Sequence, residues 1–241
     1  MGLLHWLPLA SSLVIVLFAW LIFHRYGRRG GMPLLAWGIG LAMFGAASLA
    51  EAYSTWGWHP VVFRLWYLCG AILTAAWLGQ GTVFLLSRRL RLAWILFGLL
   101  VVGSLIATYL VFRTPLDGAR FTARAPLSAQ YREILPAGAT ERRLTPLFNI
   151  YGLSTLVGGA LYSAWRLYRT ENESQRVVGN ILIALGGLVL GFASTLVRLG
   201  LADYLSVAEL LAAVSMFAGF LFSTVWMPVP VPGSVPVQVS S

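Results

Sequence analysis

The chain contains no lysine: all 17 of its basic residues are arginine. A retinal pigment holds its chromophore as a lysine Schiff base, so that class of seven-helix protein is excluded. Lysine-based nucleophilic catalysis is excluded with it. Cysteine is almost as scarce, with Cys69 alone. One thiol forms neither an intramolecular disulfide nor a dithiol redox pair. Cys69 is therefore read as a small packing residue. No HExxH, GxSxG, P-loop or paired intramembrane aspartate occurs, and no enzyme is expected. His5, His24 and His59 sit near helix ends at unmatched depths. Haem and zinc both want ligands that converge, so no cofactor and no metal is expected.

Charge is also sparse, at 10% of residues, against 59% apolar. What fills the chain is a series of seven apolar runs: 7–24, 32–50, 61–86, 92–112, 146–165, 177–197 and 205–226. A bilayer core takes about 20 residues of helix. Lipid offers no partner to an open backbone, so helix is the spanning form. The expected fold is an all-α integral membrane protein with one seven-helix domain over 1–227. A Pro-rich tail over 228–241 is read as disordered and cytoplasmic. The first run lacks a basic leader and is followed at once by Arg25, Arg28 and Arg29. It is read as a retained helix.

Arginine sets the orientation. Loops 25–31, 87–91 and 166–176 hold three each, and the short loop 51–60 holds none. The positive-inside rule then places the N-terminus outside and the C-terminus in the cytoplasm. Trp6, Trp56, Trp58 and Trp66 fall at the outer boundary, and Trp20, Trp94, Trp165 and Trp226 at the inner one, as an aromatic belt would. The net charge of +9 is explained by these helix ends, so no nucleic acid partner is expected. The long outer loop 113–145 carries Pro115, Pro126 and Pro136, which prevent a long helix. A stretch such as 127–135 has room for one or two helical turns. The loop reads as a solvated connector with some headgroup contact, as a cap over an outward-facing cavity, or as a docking surface for an anionic partner.

Runs 1–3 and 5–7 share features. Gly45-Ala46-Ala47-Ser48 in the second matches Gly191-Phe192-Ala193-Ser194 in the sixth. Glu51 then Arg64 in the first half matches Arg198 then Glu209 in the second, with signs exchanged. Two parallel three-helix units joined by helix 4 would give this order. In layout alone, this resembles sugar-exporting SWEET transporters and the KDEL receptor, whose proline-glutamine motif is missing here. Chance likeness between small-residue stripes explains the match equally well. Gly38, Gly152, Gly159, Gly187 and Gly191 are read as packing stripes.

Ionised groups in lipid cost about 2.5–3.5 kcal/mol at the helix centre on insertion scales. Glu51, Arg64, Arg198 and Glu209 are therefore expected to face inward in one layer near the outer surface. They would serve as interhelical ion pairs, Glu51 with Arg64 and Arg198 with Glu209, or as a ligand site. Arg64 also has the length to snorkel outward. Tyr67, Thr74, Asn149 and Tyr151 are candidate polar lining for the same cavity. Gln80 and Asn180 would form a second polar layer nearer the cytoplasm.

Three functions stay open. One is transport or binding of a small zwitterionic or anionic solute. The second is a seven-helix sensor acting through a separate cytoplasmic partner. The third is an accessory or scaffold subunit of a membrane complex without ligand. The expected site is a cell membrane, of the bacterial inner-membrane kind.

Overall fold

The computed structural model describes residues 7–87, 90–123, 125–170, 174–198 and 205–224, with side chains 7–8, 193–198 and 224 outside that description. The tail 228–241, His5, Trp6 and Trp226 lie outside the described residues. Among those described there is no strand. Seven helices are long and apolar enough to cross a membrane. They are α1 (Leu7–Arg29), α2 (Met32–Ser54), α3 (Pro60–Leu86), α4 (Leu90–Arg113), α6 (Thr140–Thr170), α7 (Ser174–Arg198) and α8 (Leu205–Thr224). A short helix, α5 (Leu127–Ile134), lies in the long connection between α4 and α6.

Several ends differ from the apolar runs. Lipid hydrophobicity marks the buried length of a helix, not its backbone limits. Thus α1 continues five residues past 24, to Arg29. It stops where Gly30 and Gly31 adopt φ of 64° and 104°, a region that costs a side chain but not glycine. Helix α6 begins six residues before 146, at Thr140, with Pro146 inside it. Proline lacks the N–H that would bond the carbonyl of Arg142.

The packing is a ring. Helix α1 contacts α2 and α8, α2 contacts α3, α3 contacts α6, α6 contacts α7, and α7 contacts α8. Helix α4 stands outside, against α3 and α6. Glycine permits the closest crossings. A Cβ on Gly152 of α6 would land on the backbone of Ala75 and Ala76 in α3. One on Gly219 of α8 would meet the Gly179 carbonyl of α7. Small residues let membrane helices approach this way, since lipid offers little hydrophobic drive to join them.

Two apolar clusters fill the molecule. One draws on all six ring helices: Ile15, Phe18 and Ile22 of α1, Leu41 of α2, Leu78 of α3, Leu156 of α6, Ala184 of α7, and Met216 and Phe220 of α8. The other gathers Phe63, Trp66 and Trp77 of α3, Leu100 and Val111 of α4, and Leu127, Ile134 and Leu135 in and beside α5. Trp66 is thus buried beneath α5, and Trp58 packs on Phe63 and Phe121 at ring-centroid distances of 5.5 and 5.3 Å. These two tryptophans belong to a core, not to a belt facing lipid. Trp56, Trp20, Trp94 and Trp165 are exposed.

Candidate functional site

The site is built where α3 changes its winding. Residues Trp66–Leu73 form a π-helix, between α-helical turns on both sides. A π segment bonds i to i+5 and is wider than an α turn. The Thr74 hydroxyl donates to the Cys69 carbonyl at 2.8 Å, and the Asn149 side-chain amide donates to the Ala71 carbonyl at 2.9 Å. Asn149 thereby ties the irregular turn of α3 to α6. Such segments cluster at functional sites.

The widened turn faces a cavity of about 530 Å³ inside the ring, at the end that carries α5. Trp66, Tyr67, Gly70, Ala71 and Thr74 supply its α3 wall; Thr145, Asn149 and Leu153 its α6 wall; Gly187, Leu190 and Gly191 its α7 wall; Leu205 and Glu209 its α8 wall. Ser128, Tyr131 and Arg132 of α5, with Arg142 of α6, form the roof. A volume of this size suits a small-molecule ligand.

The loop containing α5 is folded, not loose. Gln130 accepts the Thr122 N–H at 2.8 Å and donates to the carbonyls of Thr122 and Ala125. The Asp117 N–H donates to the Ile134 carbonyl at 3.0 Å. Leu127, Gln130, Tyr131 and Ile134 recur at helical spacing, and Leu127, Ile134 and Leu135 are each about 1% exposed or less. That amphipathic spacing was the sequence signal for a seated helix. Two guanidiniums lie near the Tyr131 ring, Arg132 and Arg142 at 5.9 and 5.7 Å from its centroid. The Tyr131 hydroxyl accepts from Arg132, which holds that guanidinium above its usual pKa. The sequence does not mark these arginines as cavity-lining, since Arg132 is exposed and Arg142 half-buried and neither interrupts an apolar run.

The expected charge pairs look different in three dimensions. Glu51 is 7% exposed and accepts the Leu127 N–H at 2.9 Å through Oε1. It caps the first turn of α5 from a distant helix, satisfying one of the orphan amides there. Arg64 does not pair with it. Its Nε and Nη2 donate to the carbonyls of Val111 and Thr114 at 3.1 and 3.0 Å. The cause is the end of α4, whose last carbonyls lack helical partners and attract a cation. Glu209 lines the cavity. Arg198 closes α7, and its side chain, with the expected Glu209 pair, lies outside the described residues. Among the described residues the ion pair is the exposed Arg120–Asp117 contact at 3.0 Å.

Of the polar lining, Tyr67, Thr74 and Asn149 do border the cavity. Tyr67 shares a hydrogen bond with Thr145 at 3.1 Å. Tyr151 does not border it. It points from α6 toward α3 and donates to the Gln80 carbonyl oxygen, whose amide donates to the Ala93 carbonyl of α4 at 3.0 Å. A helical offset of two residues from Asn149 turns Tyr151 to another face. Asn180 bonds its own helix at Arg176, so it and Gln80 form no shared layer. Among the described residues no three of His, Cys, Asp and Glu gather as a metal group. In comparisons with known proteins, the chain matches no family model, no curated protein and no solved structure.

Proposed function

We propose that this multi-pass membrane protein binds a small zwitterionic or anionic solute in the roofed cavity and carries it across a cell membrane, of the bacterial inner-membrane kind. The observation that carries the reading is the asymmetry of the ring. A cavity with Arg132, Arg142 and Glu209 on its walls lies at one end, and a plug contributed by all six ring helices fills the other. Guanidiniums receive carboxylate or phosphate, and Glu209 receives an ammonium. The arginine-rich loops put the cavity end outside, so the N-terminus is out and the C-terminus in.

The neighbour relations support two three-helix units. Contacts α1–α2, α2–α3 and α3–α6 have counterparts in α6–α7, α7–α8 and α8–α1, with α4 left over. Units related this way suit rocking about a central site. The cavity is read as a binding site, without a catalytic role.

The test is counterflow in proteoliposomes preloaded with candidate amino acids or phospholipid-headgroup analogues, alongside thermal shift in detergent. Counterflow that disappears in Arg142→Ala supports transport. Thermal shift without counterflow would replace transport by sensing through a separate partner. Neither signal with any zwitterion or anion would leave the subunit of a membrane complex as the better account.

A further inference from the structure

Where α2 meets α5, several buried oxygens lack partners. Glu51 has one carboxylate oxygen on Leu127, while its Oε2 is buried and unbonded. Ser48, one turn earlier on α2, is 2% exposed and its hydroxyl has no partner. Ser128 adjoins Leu127 in sequence, is 6% exposed, lines the cavity and is likewise unbonded. Glu209 borders the same cavity from α8, within Coulombic reach of Glu51.

A buried hydroxyl or carboxylate oxygen without a partner costs about 1–3 kcal/mol. Three such atoms gathered around one backbone contact point to something that binds oxygen. Three guanidiniums at this end are otherwise engaged: Arg64 on the carbonyls ending α4, Arg132 on Tyr131, and Arg142 on the Leu135 carbonyl and the Tyr131 ring.

We infer that Glu51, Glu209, Ser48 and Ser128 form an oxygen-only site for a hard cation, sodium or calcium, opening onto the cavity. Two carboxylates supply the charge. Two hydroxyls and cavity water complete a shell that hard cations accept and softer transition metals disfavour. The ion would bind α2, α8 and the roof together at the point where Glu51 already holds α5. This site does not require that the cavity carry a solute.

Purified full-length protein should be melted in sodium chloride, in calcium chloride, and in N-methylglucamine chloride at equal ionic strength and fixed pH. A ligand of the native state raises the melting point in proportion to its saturation. The expected result is a rise of several degrees with one of the two metal ions over the organic cation. Glu51→Gln keeps an oxygen for the Leu127 N–H and should abolish most of that rise. Ser128→Ala should shift half-saturation to higher ion concentration. Arg113→Gln, on the helix outside the ring and bonded only to the exposed Tyr109 hydroxyl among the described contacts, should leave the rise in place. No rise with either metal ion, a full rise retained in Glu51→Gln, or loss of the rise in Arg113→Gln would overturn the assignment. A solute shift measured separately in the same buffers tests the transport reading independently.

Discussion

The two ends of the ring solve the same problem in opposite ways. At the far end, α1, α2, α3, α6, α7 and α8 all send apolar side chains to the axis, and Phe18, Ile15, Ile22, Leu78 and Met216 are fully enclosed. Phe18 alone meets Phe217 and Phe220 at 5.1 and 5.5 Å. At the roofed end, the axis is space, and closure is delegated to an eight-residue helix from a loop. The polar atoms without partners are concentrated there: Ser48, Glu51, Ser128 and both oxygens of the fully buried Glu141. One ring thus holds an apolar, densely packed floor and a roof that leaves space and unpaired oxygens beneath it.

The sharpest way to break this contrast is by access. With Cys69→Ser as background, Tyr131→Cys should react rapidly with a membrane-impermeant maleimide added from outside, and Ala213→Cys should not. Equal labelling would mean that the floor is not closed. Next in size is the floor's stability. Phe18→Ala removes a fully buried ring and should cost about 3–5 kcal/mol in unfolding free energy. A loss below about 1 kcal/mol, read from denaturant unfolding in micelles, would show a loosely packed plug. At the cavity wall, Asn149→Ala removes the amide donor to the Ala71 carbonyl of the π turn and should cost about 0.5–1.5 kcal/mol. Aspartate at the same position offers no such donor when ionised and serves as a check on chemistry over size. Smallest is Leu105→Ala on α4, a side chain 66% exposed within the protein. It should change stability by less than about 0.5 kcal/mol.

Much of the frame was legible because lipid imposes one rule, internal backbone satisfaction, that writes itself as apolar length. All seven spans fall where the hydrophobic runs do. The site was legible only in part, and the reason is physical. Glu51 and Glu209 stand out as charges in apolar segments, and both lie beside the cavity or its roof. Their partners cannot be read off, because a carboxylate or guanidinium bonds equally well to backbone. Glu51 took the amide of Leu127 and Arg64 took two carbonyls of α4. Balanced signs at equal depth are thus weak grounds for a pair. The π turn was invisible for a related reason. WYLCGAIL has no residue that forbids α winding; Thr74 and Asn149 favour the wider turn only through contacts made after folding.

The seat of α5 has one more implication. Two turns of helix do not persist alone in water, where lengths under about 12–15 residues are marginal. Detached from Glu51 and from the apolar bed that holds Leu127, Ile134 and Leu135, the segment Leu127–Ile134 would lose its winding along with its contacts. An opening of the cavity at this helix would then be a local folding equilibrium, not the swing of a rigid door. Its rate is bounded by how fast eight residues coil and uncoil, on the order of a microsecond or less, and its balance shifts with temperature and denaturant well before the ring itself gives way.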